Sequence, residues 1–208
     1  MIIIAVPTRG MLFTEVAQAI TEIQLHVQSI PIYTWNMPIP DAHNALVEKA
    51  LMFNPSHVLF IEEDNIPPKM GVMNMLNANA DIACIDYGVN GWSCTAKRRN
   101  GEILWCGLGT TLIKREVFER LERPWFRSDK SLRLNDWQWI DNPAKYGGHD
   151  IWFCTKAREA GFEIVQVSGE ARHLKLDALG QREINNGLHL ISDKPRISKQ
   201  QYAEGGIN

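Results

Sequence analysis

The segment Phe60-Ile61-Glu62-Glu63-Asp64-Asn65 sets three consecutive carboxylates after the apolar run His57 to Ile61, which reads as a strand buried on both faces. Ligands of open α/β sheets gather at the carboxyl ends of strands. Strand alternation puts Glu62 and Asp64 on one side. Carboxylates crowded into a partly desolvated place repel one another unless a cation or a proton intervenes. Hard oxygen ligands with no soft partner select Mg²⁺ or Mn²⁺ over zinc. A solvated acidic loop ending a strand has the same composition, so the segment alone leaves both readings open.

Two further segments carry candidate chemistry. Tyr146-Gly147-Gly148-His149-Asp150 is a Gly-Gly turn followed by a carboxylate that opens a helix. Asp150 there is either an ordinary helix-capping residue or a general base held at a helix terminus. Cys154, Ala157 and Gly161 share its helical face, so the helix can pack down and aim Asp150 inward. Beyond an expected last strand, Phe162 to Val167, stand His173 and Lys175. An isolated His is an ordinary surface or core residue. With Glu62 and Asp64 it becomes a candidate metal ligand, and Lys175 a candidate phosphate contact.

The elements that would position these groups follow from apolar periodicity. Short runs, Ile2 to Val6, Ile30 to Trp35, His57 to Ile61 and Asp81 to Tyr87, alternate with helical spacing over Leu12 to His26, from Asp41 (a candidate cap) to Leu51, and over Met70 to Leu76. This βαβαβαβ order predicts an α/β fold with a mostly parallel central sheet flanked by helices. A small antiparallel element is expected where Gly91 to Lys97 and Glu102 to Leu108 bracket Arg99-Asn100-Gly101. Lys114 to Leu121 reads as a short helix, Trp125 to Tyr146 as an aromatic, loop-rich stretch, and His149 to Ala160 as a helix ended by Gly161.

The 208 residues suit one domain, 1–191, in two halves over about 1–90 and about 91–191 (a nucleotide-binding and an acceptor half under the family resemblance described below), with a flexible tail over 192–208. With 45% hydrophobic residues a full core is available, and 22 basic against 24 acidic residues exclude bulk electrostatic capture of nucleic acid or membrane. No run is long enough to span a bilayer. The four cysteines show no paired spacing, so reduced thiols and a cytoplasmic location are expected.

Taken in order, these motifs resemble nucleotide-sugar glycosyltransferases of the GT-A fold, close in pattern to the inverting family-2 group. The matching elements are Ala5-Val6-Pro7-Thr8-Arg9-Gly10, Asp41-Ala42-His43-Asn44-Ala45, and Glu62-Glu63-Asp64 at the Asp-x-Asp position. Cys106 to Arg115 matches a small-residue strand entering a helix, and Gly148-His149-Asp150 through Ile164 the Glu-Asp helix with its closing Ala-Gly-Phe. The Gly147-Gly148 pair also resembles the Gly-Gly-Glu-Asp of galactosyltransferases with this fold. Glu62 departs from the usual first Asp, His43 from a frequent Arg, and His149 from the Glu of the Glu-Asp pair.

The resemblance implies a nucleoside diphosphate sugar donor, with a UDP-sugar favoured, and Mn²⁺ or Mg²⁺ held by Asp64, Glu62 and His173. Asp150 is implied as the base. Pro7, Thr8, Arg9, Trp35, Asn36, His43, Asn44, Glu63 and Lys175 would contact the donor. Trp137, Trp139, Gly148 and His149 would face an acceptor that stays open between glycan, protein and modified nucleic acid. Inversion at the anomeric carbon is expected, and oligomeric state stays open. A nucleotidyltransferase would need a glycine-rich loop after the first strand, where this chain has one glycine. A non-catalytic sugar-nucleotide binder or scaffold is the other alternative, with His149 as its support. A dinucleotide-binding dehydrogenase is disfavoured by the absence of G-x-G-x-x-G.

Overall fold

The computed structural model describes residues 1–89, 91–176, 182–184 and 197–198, with side chains to residue 174. The first half comprises β1 (Ile2–Thr8), α1 (Thr14–His26), β2 (Ser29–Trp35), α2 (Asp41–Leu51), β3 (His57–Ile61), β4 (Asn65–Ile66), α3 (Gly71–Ala78) and β5 (Ile82–Val89). The second half adds β6 (Trp92–Ser93), β7 (Ala96–Lys97), β8 (Ile103–Trp105), β9 (Thr110–Lys114), α4 (Arg115–Arg120), β10 (Lys130–Arg133) and β11 (Gln138–Asp141). It ends with α5 (His149–Glu159), β12 (Ile164–Leu176), β13 (Arg182–Ile184) and β14 (Ile197–Ser198).

The central sheet runs β13-β12-β5-β9-β3-β1-β2. β2, β1, β3, β5 and β12 share one direction, while β9 and β13 run against them. The sheet is therefore mostly parallel, as the alternating pattern predicts. Strand alternation divides the core in two. Ile3 and Ala5 of β1 join Leu46, Val47 and Ala50 of α2, Val117 and Phe118 of α4, and Phe153, Cys154 and Ala157 of α5. Ile2, Ile4 and Val6 face the other way, onto Val16, Ala19 and Ile20 of α1 and Val72 and Met75 of α3. Both faces are covered, which is why β1 has no polar residue before Thr8. Each fully buried Ile or Leu side chain contributes roughly 1.5–3 kcal/mol.

The structure departs from the sequence expectations in four places. Pro40, not Asp41, is the α2 cap position, and it makes no side-chain cap hydrogen bond; Asp41 lies inside the first turn, where its charge suits the helix dipole. β9 is inserted antiparallel between β3 and β5, a long-range pairing that local periodicity does not encode. The aromatic stretch contains a second hairpin, β10 with β11. The last strand is 13 residues long, because Gly169 at φ +115° and a register shift between Gln166 and Glu170 let it bend and continue. Its first part pairs in parallel with β5, and its later part antiparallel with β4 and β13.

The expected first hairpin forms between β7 and β8, and Gly161 at φ +88° follows the end of α5. The four cysteines are free and buried. No helix among the described residues is long and apolar enough to cross a membrane. The flexible tail expected over 192–208 falls outside the described residues, apart from β14, whose backbone pairs in parallel with β6.

Candidate functional site

From β1 the chain passes through α1 to β2 on one side, then through α2 to β3 on the other. This reversal of strand order opens a crevice at the carboxyl ends of β1 and β3. Thr8-Arg9 and Glu62-Glu63-Asp64 meet there. A cleft of about 1500 Å³ extends from this point to the start of α5, with Pro7, Thr8, Arg9, Glu62, Glu63, Asp64, Gly148, His149, Asp150 and His173 in its walls.

Backbone pairing fixes the acidic end. The Glu62 N–H donates to the Gly109 carbonyl (3.2 Å) and the Asn65 N–H to the Glu62 carbonyl (3.1 Å), which closes a tight turn after β3. β4 then pairs with the distal part of β12 so that His173 lies opposite Asn65, and the Leu174 N–H donates to the Asp64 carbonyl at 2.6 Å. Register alone thus brings His173 Nε2 to 3.5 Å from Asp64 Oδ2. One ligand atom each from Glu62, Asp64 and His173 lies within 4.8 Å of the others. Two carboxylate oxygens and an imidazole nitrogen at that spacing fit a divalent cation.

Glu63 is not part of that cluster. It is buried, accepts the Arg9 backbone N–H at 2.6 Å and pairs with the Arg9 guanidinium. Arg9 Nη2 also lies 3.3 Å from Asp64 Oδ2. The Glu63 hydrogen bond raises the Arg9 pKa above its ordinary value, so its charge is fixed. Burial, then the charges of Asp64 and Asp150, push the Glu62 carboxyl up to about 8. A cation held between these carboxylates would relieve the same repulsion and compete with the proton.

Tyr87 lies against the same cluster. Burial and then Glu62 raise its phenol well above the ordinary value, and its oxygen accepts the Gly109 N–H at 3.1 Å. Gly107 and Gly109 permit this approach. A Cβ on Gly107 would come within 2.4 Å of the Tyr87 hydroxyl, and one on Gly109 within 2.5 Å of Asn65 Nδ2.

Asp150 is presented by α5. Gly147 and Gly148 both adopt φ +71°, a conformation open to glycine, and turn the chain into the helix. Phe153, Cys154 and Ala157 are buried and hold the helix down. Asp150 Oδ1 accepts the Ile151 N–H at 2.9 Å, and its charge is felt by both Glu62 and Tyr87 across the cleft.

Other candidates lie elsewhere. His43 is buried beneath the cleft, with ring centroids 5.0 Å from Phe60, 5.3 Å from Phe126 and 4.8 Å from His149. Burial, then His149, holds its pKa well below the ordinary value, so it is a neutral core group and cannot contact a donor directly. Asn44 clamps the Phe126 backbone with two hydrogen bonds, 2.9 and 3.1 Å, and is likewise occupied structurally. Trp35 and Asn36 lie outside the cleft lining, which takes Met37, Pro38 and Ile39 instead. Trp139 packs edge-on against Trp152 at 4.8 Å, and Trp137 lies 6.3 Å from Trp105 without lining the cleft itself. The Lys175 side chain lies outside the described residues.

Residues the sequence does not single out also line the cleft: Tyr87, Trp92, Trp105 and Met37 to Ile39. Tyr87 is visible in the sequence as the polar end of an apolar run. Nothing local marks Gly107 and Gly109 as the glycines that close over it.

The fold is shared with solved structures of low identity. The crystal structure of A197 from STIV matches with a TM-score of 0.60 at 18% identity, over 88% of this chain and 93% of that one. S. aureus TarS 1–349, solved in complex with UDP-GlcNAc, matches with a TM-score of 0.51 at 16% identity, over 80% of this chain and 56% of that one. At these identities the fold alone is shared, and it is GT-A-like. No protein-family model matches the sequence. No curated protein matches it.

Proposed function

We propose that this chain transfers a sugar from a nucleoside diphosphate sugar to an acceptor hydroxyl, with inversion. The observation that carries the proposal is the Glu62–Asp64–His173 cluster at the strand-order reversal, facing Asp150 across one cleft. The TarS structure, bound to UDP-GlcNAc, favours a UDP-sugar donor.

Glu62, Asp64 and His173 would hold Mn²⁺ or Mg²⁺. The ion, when bound, neutralises charge that develops on the leaving diphosphate. Pro7, Thr8 and Arg9 form the wall beside it. Arg9, anchored by Glu63, contributes fixed positive charge to the same end. Asp150 accepts the proton of the acceptor hydroxyl as that oxygen bonds to the anomeric carbon. The bond from that carbon to the diphosphate oxygen breaks on the opposite side, and the diphosphate leaves with the electron pair. Tyr87 and Leu108 line the same cleft.

The test is thermal stabilisation by UDP-, GDP-, CDP- and dTDP-sugars with Mn²⁺ and with EDTA. A metal-dependent rise with one nucleotide is expected. Asp150→Asn should keep that rise while transfer falls by roughly 10²–10⁴. Near-normal turnover in Asp150→Asn removes the general base, and no stabilisation by any nucleotide removes the donor site.

A further inference from the structure

Three of the four cysteines gather in one part of the core. Cys84 comes from β5, Cys106 from the segment after β8 and Cys154 from the middle of α5, and each is 0% exposed within one apolar cluster. Cys94 lies apart, in the core on the other face of the sheet. Cys106 Sγ stands 3.9 Å from Cys154 Sγ, and the Cys154 thiol also donates to the Cys106 carbonyl at 3.7 Å. The two sulfurs are near van der Waals contact. An approach of about 1.9 Å would bring them to the length of a disulfide bond.

Burial decides when that bond can form. The hydrogen bond with Cys106, then burial, raises the Cys154 thiol well above its ordinary value. Thiol–disulfide exchange needs a thiolate and access to it, and the packed core offers neither. Before α5 docks, both sulfurs are open to solvent, and a disulfide oxidant such as glutathione disulfide can reach them. One cysteine thiolate then displaces a glutathione thiolate and forms a mixed disulfide. The second attacks the cysteine sulfur of that mixed disulfide and releases the other glutathione. The protein gives up two electrons and two protons, and the glutathione disulfide leaves as two glutathione thiols.

The bond would close a span of 48 positions that takes in β9, α4 and the β10–β11 hairpin. A crosslink over such a span stabilises mainly by restricting the unfolded chain. Its anchor on α5 lies about one helical turn beyond Asp150, so it fastens the helix that presents Asp150 to the cleft.

We propose that Cys106 and Cys154 form a disulfide during oxidative folding, a covalent staple that pins α5 to the segment after β8. The staple does not depend on the glycosyl-transfer reading.

In the test, the full chain is unfolded and reduced, refolded with glutathione disulfide or with reduced glutathione alone, alkylated and cut with trypsin. With the oxidant, peptide 100–114, which carries Cys106, should be joined to peptide 146–156, which carries Cys154. The oxidised chain should melt roughly 5–15 °C above the reduced chain, and the backbone amides of α5 should exchange more slowly. Folded, reduced protein given the same oxidant for the same time should keep all four thiols free. Cys84→Ala should retain the crosslink and the rise in Tm, and Cys154→Ala should lose both. Four free thiols after oxidative refolding overturn the pairing, as does a crosslink from Cys106 to peptide 70–97, which holds Cys84 and Cys94. A Cys106–Cys154 crosslink with an unchanged or lowered Tm overturns the staple, and equally fast crosslinking of the folded chain overturns its formation during folding.

Discussion

The two ends of the cleft are built by different means. At the carboxylate end, position is dictated by the sheet: β1 and β3 lie side by side, and β4 pairs with β12 to set His173 opposite Asn65. The groups there are charged and largely buried. At the far end lie a hairpin and two left-handed glycines, with two exposed aromatic rings, Trp137 and Tyr146. Sheet pairing fixes atoms to within a hydrogen bond, whereas a hairpin tip presents surface and can vary without disturbing the core.

The largest expected effect tests the rigid end. Asp64→Ala should abolish Mn²⁺-dependent nucleotide stabilisation, a loss of about 100-fold or more in affinity, because Asp64 neighbours His173, Glu62 and Arg9 at once. His173→Ala should weaken Mn²⁺ about 10-fold, with nucleotide binding recoverable at higher metal. Calorimetric titration of Mn²⁺ checks both. Unchanged Mn²⁺ affinity in His173→Ala removes it from the ligand set, and the β4–β12 pairing would then be purely structural.

A second effect comes from Glu62. Its folded-state pKa of about 8 stands above its ordinary value of 4.5, chiefly through burial. The folded chain therefore keeps a proton that the unfolded chain has released across that window. Stability without metal is favoured below the lower value and falls as pH rises toward 8. Metal binding has the opposite sign, since the ligand is the carboxylate. Mn²⁺ affinity should climb as pH rises toward 8, roughly tenfold per unit, and then level. Glu62→Gln should flatten both profiles and raise the metal-free Tm at pH 8.5 by roughly 2–6 °C, with no change near pH 4. A metal-free Tm that rises with pH between 5 and 8 in the parent, and loses that rise in Glu62→Gln, would contradict the assignment.

Much of the rigid end is legible in the sequence, for physical reasons. An apolar run such as Val58 to Ile61 has to be buried on both faces, so it spans the sheet, and local pattern alone puts the carboxylates that follow at the strand's carboxyl end. Asp150 is legible because Gly147-Gly148 can only be a turn before a helix. His43 is where the pattern misleads: Asp41-Ala42-His43-Asn44 follows a family motif, but its surroundings, Phe60 and Phe126, come from distant parts of the chain. The length of β12 is hidden because the apolar run ends at Val167, whereas the strand bends at Gly169 and continues. Gly109→Ala tests how tightly that frame is packed. A methyl there meets Asn65 and the Tyr87 ring, so stability should fall by about 1–3 kcal/mol in urea unfolding, with Mn²⁺ affinity falling alongside. If stability drops and Mn²⁺ affinity does not, Tyr87 and Asn65 do not position the carboxylates.

The smallest expected effect belongs to the exposed end and separates the two frames most cleanly. Trp137 is a half-exposed aromatic at φ +56°, a backbone that glycine adopts freely. Trp137→Gly gives up part of the contact with Trp105 and relieves the strained backbone, two effects of about 1 kcal/mol that oppose one another. Stability in urea should therefore stay within about 1 kcal/mol of the parent, with an unchanged m-value. A core aromatic of similar size would cost about 3–5 kcal/mol on truncation. A loss in that larger range would show that the hairpin is part of the rigid frame, and the division between the two ends would fail.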